Sequence, residues 1–359
     1  KGSPIYYASV SLKNKLYREY EDIKESIFKK YPSKFDIEKY TYDLFIWAFV
    51  MLLSRAARLS SKSTGEELAL VPYADLMNHS PYSNTYIDAQ RSGLPFVSRT
   101  EEVALYSDRN YKKFEQVFIN YGEKSNADLL LLYGFALEKN PFNSVDISVG
   151  LSKDDPLYNQ KKIYLDKAGR GAQSVRFPLQ LDRYPSELVD FLRLLLVEPE
   201  DLGLTTIDRI DFNEPISPSL ERRVLTTMIS ICESYLTQYP TTVQEDELLI
   251  ADKTLFSALS RQQRMAVKLR ISEKRILQQT IKAVEEELLR LPAIVVDDQK
   301  ITPAGRSFET LDTQKSLSQN QNLNTWVDIR VPKVKDVKAV NSDNKPSIAE
   351  RRRKRRTGE

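Results

Sequence analysis

Asp75, Asn78, His79 and Ser80 crowd into one short run, Ala74-Asp75-Leu76-Met77-Asn78-His79-Ser80, and His79 is the only histidine among 359 residues. An Asn amide brings two donor hydrogens and an acceptor oxygen, which suits it to fixing a polar small molecule. A lone His is more often a satisfied structural residue, but its polar neighbours weigh against that here. Some fifty residues on, four leucines at 129–132 run into Tyr133-Gly134-Phe135, with Tyr121 a little upstream. A tyrosine hydroxyl donates and accepts, and it can polarise a reacting centre without ionising. Read alone, Tyr133 is a core residue on a short apolar helix and Tyr121 a core residue at a strand end. Ser54-Arg55 closes an apolar run, and a planar guanidinium can grip a carboxylate by two parallel bonds. The bland alternative is a surface arginine on a helix end, the reading preferred for Arg58. Together the set offers hydrogen-bonding groups suited to a polar small molecule.

Composition narrows the classes. One cysteine, Cys232, and one histidine exclude an intrachain disulfide framework, a Cys-rich zinc site and a His/Cys metal cluster. Low cysteine use fits a reducing compartment. A net charge of +3 is too small to imply nucleic-acid binding, and 41% hydrophobic residues is ordinary for a soluble chain long enough for two domains. The longest apolar run, residues 44–53, is half the roughly 20 residues that span a membrane, and it reads as a buried helix. The chain opens at Lys1 without Met or signal peptide, so a preceding segment is expected to be missing.

The elements that must position these residues follow from periodicity. Leu16, Tyr17, Tyr20, Ile23 and Ile27 predict an amphipathic helix over 11–30, stopped by Pro32. A second helix is predicted over 39–59, then a polar loop, then short strands at 67–71, 85–89, 102–106 and 116–120. Residues 126–132 form a turn or two of helix leading to Tyr133. After about residue 140 the pattern becomes helical: 161–167 closing on Gly169, 186–196 after Pro185, and 220–239 ended by Pro240. Thr242 with Glu245 makes a capping box, and one long helix is predicted over 254–291 with Leu277, Ile281, Val284 and Leu288 on one face. From about 297 no period survives, and the stretch reads as a disordered tail ending in the basic run 351–356.

The Asp-x-x-Asn-His-Ser run and the Tyr-Gly-Phe, in this order and at this spacing, resemble the second half of a SET domain, above all in the Rubisco large-subunit lysine methyltransferase group. The later segments Tyr239-Pro240-Thr241-Thr242, Glu245-Asp246, Lys268-Leu269-Arg270 and Glu273-Lys274 resemble that group's C-terminal domain. The resemblance implies an α+β fold: the helical insert of a SET domain at 1–60, its C-terminal part at 61–140, and an all-α substrate-binding domain at 141–295, followed by the tail at 296–359. It implies methyl transfer from S-adenosylmethionine to a lysine of a folded protein, such as Rubisco large subunit or another plastid protein, with no metal, no membrane and a chloroplast location. The nucleus or cytoplasm is the other placing. The lack of Cys-rich flanks favours the non-histone branch. Methyl transfer is an in-line displacement, in which alignment supplies on the order of 7–11 kcal/mol. A narrow aromatic channel also disfavours the lysine ammonium and lowers its pKa.

Carried over residue by residue, the resemblance makes Tyr133 catalytic and gives Asn78, His79 and Arg55 to the cofactor. It gives Ser54, Arg55, Asp75, Tyr86 and Tyr121 to the substrate lysine. There are departures. The family's Gly-x-Gly cofactor loop is expected before Lys1, so this chain alone is expected to bind the cofactor poorly. Gly169-Arg170-Gly171 reads as a helix end instead. Val145 replaces a second family tyrosine, and Phe114 stands where relatives usually have a turn glycine. These departures keep a non-catalytic, SET-like scaffold as the alternative. Histidine methylation, known for an actin-modifying relative, is disfavoured by Tyr133. Nucleic-acid binding rests only on the basic tail.

Overall fold

Pro4 begins the first helix, α1 (Pro4–Ile23), where its missing N–H is no loss, and a π turn at Lys24–Phe28 extends it. The predicted helix is therefore present but starts seven residues before residue 11. The computed structural model describes residues 2–61, 65–92, 100–169, 174–292 and 326–328. The basic run 351–356 and Gly171 lie outside them.

The second helix, α2 (Tyr42–Arg55), is capped by the Thr41 hydroxyl, which accepts the Leu44 N–H at 3.3 Å. It carries the apolar run, but the expected burial is absent. No α2 side chain is buried, and Trp47 is 60% exposed. The helix touches α1 and the segment around residue 130 and leaves its remaining apolar surface uncovered. It also ends at Arg55 rather than 59, because Ala56 turns extended and β1 (Ala57–Ser61) pairs antiparallel with β2 (Gly65–Ala69). Arg58 bonds Glu66 across that hairpin at 2.8 Å, on the surface as expected but on β1 rather than at a helix end.

Four more short strands follow: β3 (Asn78–His79), β4 (Tyr86–Ser92), β5 (Thr100–Tyr106) and β6 (Phe118–Ile119). β4 and β5 form an antiparallel hairpin with Tyr86 opposite Tyr106. β3 and β6 pair in parallel, Asn78 with Phe118 and His79 with Ile119. Then α3 (Asn126–Tyr133) opens on a capping box between Ser125 and Asp128.

The rest is helical, as expected, with an unanticipated sheet at its start. β7 (Ser144–Val149), α4 (Tyr158–Lys167), β8 (Val175–Gln180) and β9 (Arg183–Pro185) precede α5 (Ser186–Leu196) and α6 (Pro199–Leu202). α7 (Pro218–Thr237), α8 (Val243–Ala251), α9 (Lys253–Ala258) and α10 (Arg261–Arg290) complete the helices. The sheet runs β7-β8-β9 and gains β10 (Trp326–Asp328) at its edge, inside the stretch expected to lack structure. The single long helix predicted over 254–291 is two, because Ser260 turns extended and caps α10 with Gln263. The main core lies here, where Ile147, Phe177, Leu179, Leu188, Leu192, Leu220, Val224, Met228, Leu277 and Val284 are all almost fully buried. Val145 faces this core and is 2% exposed.

The residues that resemble the family's C-terminal domain form a buried polar network. Lys274 donates to Asp246 at 2.8 Å and to the Thr241 and Thr242 carbonyls, while Arg270 and the Thr241 hydroxyl also bond Asp246. Such partners offset the cost of burying the Lys274–Asp246 pair, although the Arg270 Nε beside it has no hydrogen-bond partner among the described residues.

Candidate functional site

The candidate residues fall into two groups. The first is an ion pair. Arg55, the last residue of α2, donates through Nη1 to the Asp75 carboxylate at 3.3 Å and to its backbone carbonyl at 3.1 Å. Asp75 lies on a single 3-10 turn, Ala74–Leu76, entered through Tyr73 at φ +69°. Left-handed backbone at a tyrosine is strained, and it brings the turn round so that Asp75 meets the helix end. An apolar cleft of about 510 Å³ opens beside the pair, lined by Trp47, Met51, Leu70, Pro72, Tyr73 and Leu76.

The second group is a chain of rings. His79 stacks on Tyr121 with centroids 5.0 Å apart, Tyr121 lies 4.7 Å from Tyr133, and Tyr133 lies 6.2 Å from Phe135. The parallel β3–β6 pairing places His79 beside the segment that leads to Tyr121. Gly134, at φ +75°, ends α3 in a left-handed turn, returning its N–H to Leu130 and letting Phe135 fold back on Tyr133. Only glycine adopts that turn without penalty, which is the physical reason for the middle residue of Tyr-Gly-Phe.

Hydroxyl commitments separate the two tyrosines. Tyr121 donates to the Met77 carbonyl at 2.7 Å. Tyr133 is half-buried, and among the described residues its hydroxyl has no hydrogen-bond partner. Burial raises the Tyr133 pKa above 10.0, helped by Tyr121 and Asp128, so the phenol stays protonated and able to donate. Burial also raises Tyr121, opposed by the Arg55 guanidinium and assisted by Asp75, which places the ion pair within electrostatic reach of the rings. His79 is held below its usual 6.5 by burial; the Ile119 carbonyl opposes this and the Lys124 ammonium adds to it.

The remaining candidates stand apart. Asn78 is exposed on β3, and among the described residues its amide is uncommitted, so its donors and acceptor are available to a polar cofactor. The Ser54 hydroxyl donates to Val50, one turn back in its own helix, at 2.6 Å, which engages its donor. Tyr86 stacks on Tyr106 in the β4–β5 hairpin at 4.9 Å. The sequence reading missed the asparagine frame that holds α3. Asn126 bonds both backbone groups of Leu137, and Asn143 and Asn140 bond Asn126 in turn. It also missed the Ser125-x-x-Asp128 signal that opens the helix. Among the described residues no group of three or more His, Cys, Asp or Glu could hold a metal, and no helix is long and apolar enough to cross a membrane.

Residues 1–122 match the family model described as the SET domain, and residues 152–277 match that of the Rubisco LSMT substrate-binding domain. The chain is 32% identical over 301 residues to the chloroplastic [fructose-bisphosphate aldolase]-lysine N-methyltransferase of Arabidopsis thaliana, covering 81% of this chain and 60% of that protein. It is 29% identical to the chloroplastic Rubisco large subunit N-methyltransferase of Nicotiana tabacum, covering 81% and 59% respectively. The human actin-histidine N-methyltransferase is 32% identical over 70% of this chain and 43% of its own length. The solved SET domain of LSMT bound to lysine and AdoHcy superposes with a TM-score of 0.67 at 28% identity, covering 81% of this chain and 66% of that one. The chain thus spans about 60% of the length of the first two of these relatives.

Proposed function

With residues 1–122 in the SET-domain family and residues 152–277 in the Rubisco LSMT substrate-binding family, we propose that this chain serves S-adenosylmethionine-dependent methylation of a lysine on a folded protein. The observation that carries the reading is the Tyr133 hydroxyl, protonated and uncommitted, in a wall of rings beside Tyr121 and Phe135. Such a donor can orient an amine for in-line attack, and alignment is the large term in this reaction. The aromatic wall disfavours the ammonium form, so the lysine sheds its proton to solvent before attack. Asn78 and the backbone at His79 would hold the cofactor, with Arg55 near its carboxylate. The bound cofactor supplies the electrophilic methyl group. Asp75, tied to Arg55, offers a carboxylate to the incoming lysine. Tyr121 walls the channel, while the engaged Ser54 and the hairpin residue Tyr86 contribute less.

We infer a domain boundary near residue 140, a reading supported by the start of the main core at Val145. Residues 141–295 would dock the folded substrate, since a lysine side chain alone carries little identity. The chloroplastic relatives support a plastid setting, with Rubisco large subunit or aldolase as first substrates to try. Incubation with saturating methyl-labelled S-adenosylmethionine and each folded protein, followed by mass spectrometry, is expected to place label on a lysine. Cofactor binding without transfer to any lysine favours the scaffold alternative. Label on a histidine replaces the lysine reading.

A further inference from the structure

The β3–β6 ladder is only two residues long, and it stops at Ile119, closed by the Ser80 N–H on the Ile119 carbonyl at 3.0 Å. Beyond it the Tyr121 N–H has no strand partner. It is taken by a side chain: Tyr121 N–H donates to His79 Nδ1 at 3.1 Å. A donor directed at Nδ1 requires a lone pair there, so the imidazole is neutral and carries its proton on Nε2. The same ring stacks on the Tyr121 ring at 5.0 Å and 25°. The Tyr121 hydroxyl returns to the Met77 carbonyl, two residues before His79. Tyr121 is therefore held at its backbone, its ring and its hydroxyl by one three-residue segment. Tyr133 in turn lies 4.7 Å from Tyr121. At 7% exposure His79 has little side-chain surface left for a ligand.

We propose that the His79 side chain is a positioning residue: by accepting the Tyr121 backbone N–H it fixes the Tyr121–Tyr133 wall against which the acceptor lysine is aligned. The role rests on the methyltransferase reading above, and it deepens it by separating the histidine's backbone, left to the cofactor, from its ring. The groups around the ring agree with a neutral imidazole. The Lys124 ammonium weighs against a second proton, the Tyr121 phenol is held protonated by burial, the Phe135 ring lies 6.2 Å away, and among the described residues the Ile119 carbonyl is the one opposing influence.

Two substitutions separate acceptor from ring. In His79→Asn the amide oxygen falls near the place of Nδ1 and keeps the acceptor. In His79→Phe the ring stays and the acceptor is lost, leaving a half-buried N–H unpaired. The expected result is a fall in kcat for His79→Phe that exceeds any fall for His79→Asn by about tenfold or more. Because the chain has one histidine, its imidazole nitrogens are read by NMR without assignment. They should show the Nε2–H tautomer, neutral to below pH 6.5. An Nδ1–H tautomer, equal kcat losses in the two variants, or a raised cofactor KM at unchanged kcat overturns the proposal. Should the wild type transfer no methyl group even at saturating cofactor, the methyltransferase reading fails and the geometry is tested by tyrosine titration. The Tyr133 phenol should then fall toward 10.0 in His79→Phe but not in His79→Asn, and an unchanged value in both overturns the positioning role.

Discussion

Ser3 donates a 2.7 Å hydrogen bond to Glu273, tying the residue before α1 to the middle of α10 across 270 positions of sequence. The fit is close. Gly2 sits at φ +89°, and a Cβ there would come within 2.5 Å of the Gln238 carbonyl oxygen. Tyr239 donates to the other Glu273 oxygen at 3.0 Å.

That carboxyl predicts a pH dependence. Burial pushes Glu273 up to about 7, against the two hydroxyls and Arg270, with Asp146 adding to the rise. Its folded-state value lies above the unfolded 4.5, so its contribution is fully present below pH 4.5 and is lost as pH rises through about 7. The loss amounts to about 3 kcal/mol at alkaline pH. Glu273→Gln mimics the neutral acid. Calorimetry from pH 4 to 8 should show the wild-type Tm falling relative to the variant across that window. Parallel curves would put the carboxyl's titration elsewhere.

Tyr133→Phe should lower kcat by a factor equivalent to roughly 2.7–4 kcal/mol, the scale for one oriented donor, while cofactor affinity stays near wild type. Asn78→Ala should do the reverse, weakening cofactor binding first. Steady-state kinetics with calorimetric titration distinguishes them. A Phe variant with normal turnover makes Tyr133 a core residue.

Lys282 is exposed on α10. If the helical half docks the substrate, Lys282→Glu should change KM for the folded protein, leave kcat nearly unchanged, and leave a short lysine peptide unaffected. Equal responses of both substrates would make that half structural support.

Phe114 stands at φ +67°, 94% exposed, in a turn closed by the Glu115 N–H on the Lys112 carbonyl. The left-handed conformation costs a non-glycine residue about 1–2 kcal/mol, and glycine's extra freedom when unfolded returns about 0.4–1 of that. Phe114→Gly should therefore raise stability by about 0.5–1 kcal/mol with no change in kcat. A fall in Tm would mean that the ring makes contacts worth more than the strain.

What the sequence disclosed was local. Asn78-His79 and Tyr133-Gly134-Phe135 are short runs that the family resemblance picks out, and Phe114 was visible because it stands where relatives usually have a turn glycine. The Arg55–Asp75 pair was not legible, because it depends on the left-handed Tyr73 between them. Nor was the link between His79 and Tyr121, which is a backbone donor and carries no residue signature. The β7–β8 sheet is a different kind of miss. Val145, Ile147 and Val149 alternate with polar residues, and Val175, Phe177 and Leu179 alternate with Arg176 and Pro178, but the helical pattern around them and that proline masked the period of two. The burial expected for α2 failed because an apolar run predicts a helix and not what covers it.

The two-residue β3–β6 pairing bears on how the protein is made. It joins positions forty apart through very few contacts, whereas the helices around it form within single turns. Entropy of loop closure must be met before so short a ladder returns anything. On that argument the ring cluster is assembled late, after the helices, and is among the first parts to open when the chain is warmed.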